Sequence, residues 1–88
     1  MYSIKQASIR SGVSVPLIRA WERRYGAVVP ERTDGNTRRY SASDVRRLGL
    51  LKEATSRGHR IGDVARLSEE ELEGLTVAED ALAAAHRP

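Results

Sequence analysis

The sequence predicts a mostly α-helical domain carrying one small β-hairpin, and three observations predict it. Apolar residues recur at helical spacing between Ile4 and Leu67. The first three stretches are each opened by a serine and closed by a glycine: Ser3 and Gly12, Ser14 and Gly26, Ser41 and Gly58. Between the second and third stretches lies Asp34-Gly35, a strong turn signal flanked by short extended segments. A chain of 88 residues has room for one small domain.

The first helix is expected over residues 4–11, with Ser3 as its cap and Ile4, Ala7 and Ser8 facing inward. Gly12-Val13-Ser14 is a tight turn, with Val13 plugging the gap between helices. Ser14 caps a second helix, about 15–25, and Pro16 falls in its first turn, where a missing N–H does no harm. Two short helices joined by a tight Gly-containing turn form a helix-turn-helix. Residues of about 30–40 are expected to form a two-stranded ribbon, or wing. Ser41 with Asp44 resembles a capping box, Asp replacing the usual Glu or Gln, before a helix of about 42–57. Val45, Leu48, Leu51 and Ala54 share one of its faces, and Gly58 caps its end. A shorter helix is expected at 61–67. Ser68-x-x-Glu71 and Thr76-x-x-Glu79 suggest two more, about 69–75 and 77–86. The architecture is thus a winged helix-turn-helix, with its core built from Ile, Leu, Val and Ala, since Phe is absent.

The net charge of +3 hides an asymmetry: residues 1–60 carry 13 basic and 5 acidic side chains, residues 61–88 only 2 basic and 7 acidic. The first part is +8 and the second −5. All but Lys5 and Lys52 of the basic residues are arginine, which suits bidentate contacts to phosphate or guanine. The first part reads as a polyanion-binding surface, although a solvated mixed-charge surface has the same composition.

At 100° per residue from Val15, the side chains Leu17, Ile18, Trp21 and Tyr25 span an apolar face about 100° wide. Trp21 therefore reads as core, with stacking on a base the lesser alternative. The opposite face carries Arg19 and Arg23 one turn apart, flanked by Val15, Pro16 and Ala20. Small or rigid residues let the helix enter a major groove about 12 Å wide, with Arg19 and Arg23 reaching bases or phosphates. Arg24 reads as a phosphate contact, Glu22 as an orienting ion-pair partner, and Ser14 opens the reading helix. In the wing, Arg32, Asn36, Thr37, Arg38, Arg39 and Tyr40 crowd the hairpin. Such a tip tracks phosphates or enters the minor groove. Alternation places Arg38 and Tyr40 on one face and Thr37 and Arg39 on the other, so one arginine faces DNA while the other packs on the body. The Tyr40 ring is expected to point inward, with its hydroxyl offered to a phosphate.

The pieces Ser3-Ile4, Gly12-Val13-Ser14, Ile18-Arg19-x-Trp21-Glu22, Pro30-x-Arg32, Arg38-x-Tyr40-Ser41, Asp44-Val45-x-x-Leu48 and Gly58 occur in order. Together they resemble the DNA-binding domain of MerR-type bacterial transcriptional regulators. The run Ile18-Arg19-Ala20-Trp21-Glu22-Arg23-Arg24-Tyr25-Gly26 is similar to the light-responsive, cobalamin-dependent repressors of the CarA, CarH and LitR group. The resemblance implies a promoter-binding regulator with its recognition helix in the major groove and its wing on the flanking backbone. In that group a cobalamin-binding region follows, so no cofactor is expected in these residues themselves. Two departures stand out. Residues 69–88 lack the heptads of the family's dimer-forming coiled coil, and Arg60 stands where a capping Ser or Thr is usual.

The expected function is a sequence-specific DNA-binding transcriptional regulator, a repressor or its DNA-binding module, with double-stranded DNA as partner. Residues 1–67 form the DNA-binding domain. Residues 68–88 form an acidic helical tail or a connection to a missing C-terminal domain. A homo-oligomer is expected through adjacent operator half-sites or that domain, in the cytoplasm at the bacterial nucleoid. Two alternatives stay open: a protein-interaction module docking its basic face on an acidic partner, and a small architectural protein that bends DNA. An enzyme is not expected, because no nucleophile–base–orienter set and no phosphate-binding glycine loop occurs. Without Cys, and with His59 and His86 far apart, no zinc site is expected. No apolar run nears the roughly 20 residues of a membrane span, and the start lacks the basic-then-apolar order of a signal peptide.

Overall fold

A computed structural model describes residues 1–33, 35 and 37–85. Helix α1, Ile4–Ser11, begins with a reciprocal cap. The Gln6 N–H donates to the Ser3 hydroxyl at 3.2 Å, and the Ser3 N–H donates to Gln6 Oε1 at 3.0 Å. It ends at Gly12, whose φ of 78° is left-handed. Any side chain there would also meet Lys52, since a Cβ would lie 2.6 Å from its Nζ. Val13 is buried, as its plugging role requires.

Helix α2, Val15–Tyr25, is capped by Ser14, whose hydroxyl accepts the Leu17 N–H at 3.4 Å, and stops at Gly26 with φ 58°. Ile18 and Trp21 are buried. Leu17 and Tyr25, expected on the same inner face, are instead 41% and 43% exposed. The inner stripe is wider than the contact: α2 packs mainly on α1 and on a short later helix, and Leu17 and Tyr25 fall at its margins. The Tyr25 ring lies along that helix beside Gly62.

The wing is an antiparallel pair, β1 (Glu31–Arg32) and β2 (Arg38–Arg39), with Glu31 opposite Arg39 and Arg32 opposite Arg38. Tyr2 and Tyr40 exchange backbone hydrogen bonds of 2.7 and 2.8 Å, so the chain's first residues extend the ribbon. This pairing ties α1 to the wing and has no local signal in the sequence.

Helix α3, Ala42–Ser56, starts with the expected Ser41–Asp44 box, at 3.0 and 2.9 Å. Leu48, Leu51 and Ala54 are buried and Val45 half-buried. Gly58 follows its last turn at φ 100°. Helix α4 is the single turn Ile61–Val64, shorter than the expected 61–67. The carbonyls of Ala65 and Leu67 accept from the Arg47 guanidinium instead of from a continuing helix. Arg60 holds the N-cap position of α4 and makes no side-chain cap.

The expected pair of helices at 69–75 and 77–86 is one helix, α5, Glu69–Ala85; residue 86 lies outside the described residues. The Ser68–Glu71 box forms, with both bonds at 3.1 Å. The Thr76–Glu79 signature does not start a helix, because Glu79 turns to His59, 3.0 Å away. Nor is the acidic segment simply solvated. Glu69 accepts from Ser43, Glu73 pairs with Arg46, and Asp80 pairs with Arg57 at 2.9 Å, so α5 lies along α3 in the same sense. Leu72 enters the same core as Ala7, Ile18, Trp21, Tyr40, Leu48 and Leu51.

Candidate nucleic-acid interface

The outer edge of α2, the connection after Gly26 and the wing enclose an open groove of about 610 Å³. Arg19, Glu22 and Arg23 come from α2, Val28, Val29 and Pro30 from the connection, and Arg32 and Arg38 from the ribbon. Helical spacing places Arg19 and Arg23 one turn apart, and both are exposed. The ribbon register puts Arg32 directly opposite Arg38. Like charges directly opposite on a ribbon repel. Four guanidinium groups around one groove form an electrostatic site for an anion that presents several charges at once.

A smaller groove, about 260 Å³, adjoins it and is lined by Ser3, Ile4, Arg19, Thr37 and Arg38. Thr37 is held at the wing's neck, its N–H 3.3 Å from the Thr33 hydroxyl and its carbonyl accepting the Thr33 N–H at 2.9 Å. Five of the residues expected in the interface therefore converge on these grooves: Arg19, Arg23, Arg32, Thr37 and Arg38. The N-cap Ser14, and Val15, Pro16, Ala20 and Arg24 elsewhere on α2, line neither groove. Among them Pro16 and Arg24 are exposed, and Val15 and Ala20 half-buried. Arg39 is half-buried, opposite Glu31. Asn36 lies outside the described residues.

Tyr40 requires a correction. Its ring is fully buried, as expected, but its hydroxyl donates to Glu22 Oε1 at 2.6 Å and is not presented to an incoming phosphate. Burial, and then the hydrogen bond and negative charge of Glu22, push the phenol's pKa well above its ordinary value. Glu22 also lies 3.3 Å from Arg38 Nε, which makes it the ion-pair partner its position suggested. The expected division of work between the two arginines is not observed: Arg38 is braced by Glu22 and also lines both grooves, and Arg39 lines neither.

Sequence reasoning missed Arg47. From α3 its guanidinium donates to the Ala27 carbonyl through Nε, to Leu67 O at 2.6 Å through Nη1 and to Ala65 O at 2.6 Å through Nη2. It thereby fixes the backbone just after Gly26, from which the groove floor is built. Nothing in the Asp44-Val45-Arg46-Arg47 run separates Arg47 from Arg46, which pairs with Glu73 on the surface.

Neither groove fits the cobalamin that the resemblance implies. The larger is lined by four arginines and no histidine, and among the described residues no cluster of His, Cys, Asp or Glu could hold a metal. Among them, too, no helix is long and apolar enough to cross a membrane.

A family model described as the MerR HTH family regulatory protein matches residues 2–71. The chain belongs to the MerR family. The chain is 46% identical over 74 residues to the HTH-type transcriptional repressor CarH of Myxococcus xanthus, covering 84% of this chain and 25% of that protein. It is 31% identical over 67 residues to the HTH-type transcriptional regulator MlrA of Escherichia coli K12, covering 76% of this chain and 28% of MlrA. The MlrA of Salmonella typhimurium SL1344 is 31% identical over 64 residues, covering 73% and 26%. The matched stretch of this MerR-family chain thus spans about a quarter of each relative.

Proposed function

We propose that this chain is the sequence-specific DNA-binding module of a transcriptional regulator, and that it acts as a repressor, the role named for its Myxococcus relative. One observation carries the reading: four arginines from two separate elements converge on one groove between a helix and a wing. A helix in the major groove with Arg19 and Arg23 toward base edges leaves Arg32 and Arg38 beside the flanking backbone. Ser14, Val15, Pro16 and Ala20 form the leading edge of α2, where small residues allow close approach. Arg24, Asn36, Thr37 and Arg39 serve phosphates. Tyr40 contributes by holding the wing.

Residues 1–67 are the DNA-binding unit, and residues 68–88 connect it to whatever part of the parent regulator receives the signal. Any cobalamin dependence belongs to that part. A second copy on an adjacent half-site supplies tight operator binding.

The test is titration of the purified chain into labelled random duplexes at two salt concentrations, followed by sequencing of the retained fraction. Salt-sensitive binding with an enriched motif is the expected result. Salt-sensitive binding without a motif replaces sequence recognition with an architectural role. No binding at low salt removes DNA as the partner and leaves an acidic protein partner for the basic face.

A further inference from the structure

Among the described residues, Glu22 is the one acidic residue in the groove lining, whose other charged members are Arg19, Arg23, Arg32 and Arg38. It stands on α2 between Arg19 and Arg23, and its side chain is only 9% exposed. Oε1 is satisfied by the Tyr40 hydroxyl. Oε2 is not: it lies 3.3 Å from Arg38 Nε in a geometry that makes no hydrogen bond. Both atoms are shut off from water and, among the described residues, neither has another hydrogen-bond partner. A buried carboxylate oxygen and a buried guanidinium N–H are therefore paired by charge while both lack the directional bond each requires.

The Arg38 side chain is 35% exposed although its Nε is not, so its exposure belongs to the rest of the side chain, which lines both grooves. A phosphate entering the groove takes the terminal nitrogens of a guanidinium two at a time. Nε already lies 3.3 Å from Oε2, so a change of direction rather than of distance is what a hydrogen bond between them requires, and a phosphate seated on the terminal nitrogens would supply it by turning the guanidinium plane. The bond missing in the free protein is then completed in the bound one, and an interaction stronger in one state than in the other shifts the equilibrium toward it.

We propose that Glu22 is a positioning residue for DNA binding: it orients Arg38 toward a backbone phosphate and couples the wing's engagement to the helix that carries Arg19 and Arg23. The proposal rests on the DNA-binding reading above. It separates sharply from simple electrostatics. A carboxylate beside a polyanion repels it, so on charge alone Glu22→Gln strengthens binding. A positioning role gives the opposite sign.

The experiment measures binding of the full 88-residue chain to its selected duplex and to a random duplex by fluorescence anisotropy, across a salt series, for wild type, Glu22→Gln, Arg38→Gln and the double variant. Glu22→Gln is expected to lose about tenfold in affinity for the selected duplex, the scale of one charge-assisted hydrogen bond, and less for the random one. Its salt slope should fall toward that of Arg38→Gln, which is shallower than wild type by about one released counterion. The double variant should bind no worse than Arg38→Gln alone. Unchanged or tighter binding by Glu22→Gln, or losses that add, overturns the proposal while leaving DNA binding intact. A wild-type chain without affinity for duplex DNA overturns both. Circular dichroism checks the fold. If Glu22→Gln unfolds, Tyr40→Phe takes its place, since it removes the other group that fixes the carboxylate and keeps the ring. A shallower salt slope in Tyr40→Phe supports the proposal and an unchanged one overturns it.

Discussion

Replacing Arg47 with Ala tests whether the groove floor is held by one side chain. The guanidinium bonds the carbonyls of Ala27, Ala65 and Leu67, which belong to the connection after α2 and to the segment after α4. Each bond from a charged donor contributes about 1.5–3 kcal/mol to stability. Three such bonds do not simply add, and a half-buried site lets water reach some of the freed carbonyls, so the loss is set below the additive range of about 4.5–9 kcal/mol, at about 3–4 kcal/mol. Small domains have a total stability of about 5–15 kcal/mol, so the variant should unfold at markedly lower denaturant. Arg47→Lys keeps the charge but not the planar fork, and should recover less than half of the loss. Urea denaturation followed by circular dichroism gives the numbers. A loss below about 1 kcal/mol for Arg47→Ala, or full recovery by Lys, would refute the clamp, because one flexible ammonium cannot span three carbonyls on two segments.

Gly26→Ala should cost about 1 kcal/mol from left-handed backbone strain alone, because no atom beyond the adjoining residues lies within 4 Å of the added Cβ; Gly26→Asn should cost less, and equal costs in urea melts would point to another cause. Arg23→Ala should weaken specific DNA binding by roughly 1–3 kcal/mol and relax sequence preference; an equal loss on specific and random duplexes reassigns Arg23 to phosphate. The raised pKa of Tyr40 means the folded chain keeps a proton that the unfolded chain releases above pH about 10. The stability it contributes is complete below that pH and declines as pH rises beyond it. Tyr40→Phe should therefore show a flatter alkaline stability profile than wild type, and parallel profiles would show that the phenol does not titrate with unfolding.

Signals close in sequence were legible. Serine caps and Gly12 and Gly26 at the turns fixed the bounds of α1 and α2, because each is satisfied within a few residues of itself; the Asp34-Gly35 signal marked the place of the wing, although Asp34 lies outside the described residues. The Arg19–Arg23 pair was legible for the same reason, since helical periodicity alone sets its face. What could not be read depends on partners about 18–38 residues away. Tyr2 pairs with Tyr40, Arg47 reaches Ala27, and Glu79 turns to His59, which draws a capping signature into the interior of α5. Local propensity at Thr76 favoured a new helix start, and contact with α3 overrode it. Tyr40 combined both cases: its inward ring followed from alternation, whereas its hydroxyl's partner lay on another element.

The charge asymmetry along the chain acquires a spatial meaning from α5. An acidic segment in the same chain as a cationic groove competes for it at an effective concentration that is millimolar for a short flexible linker. A tail carrying Glu69, Glu70, Glu71, Glu73, Glu79 and Asp80 could thus occupy the arginines of the groove. The fold averts this by giving four of those side chains partners on or just after α3: Ser43 for Glu69, Arg46 for Glu73, His59 for Glu79 and Arg57 for Asp80. Leu72 in the core fixes the helix that carries them. Exposed pairs of this kind contribute little stability one by one. Their consequence is placement, since a rigid helix held along α3 cannot fold back over the groove as a flexible tail could. The positive field at α2 and the wing is therefore preserved by where the negative charge is held, even though the net charge of the chain is only +3.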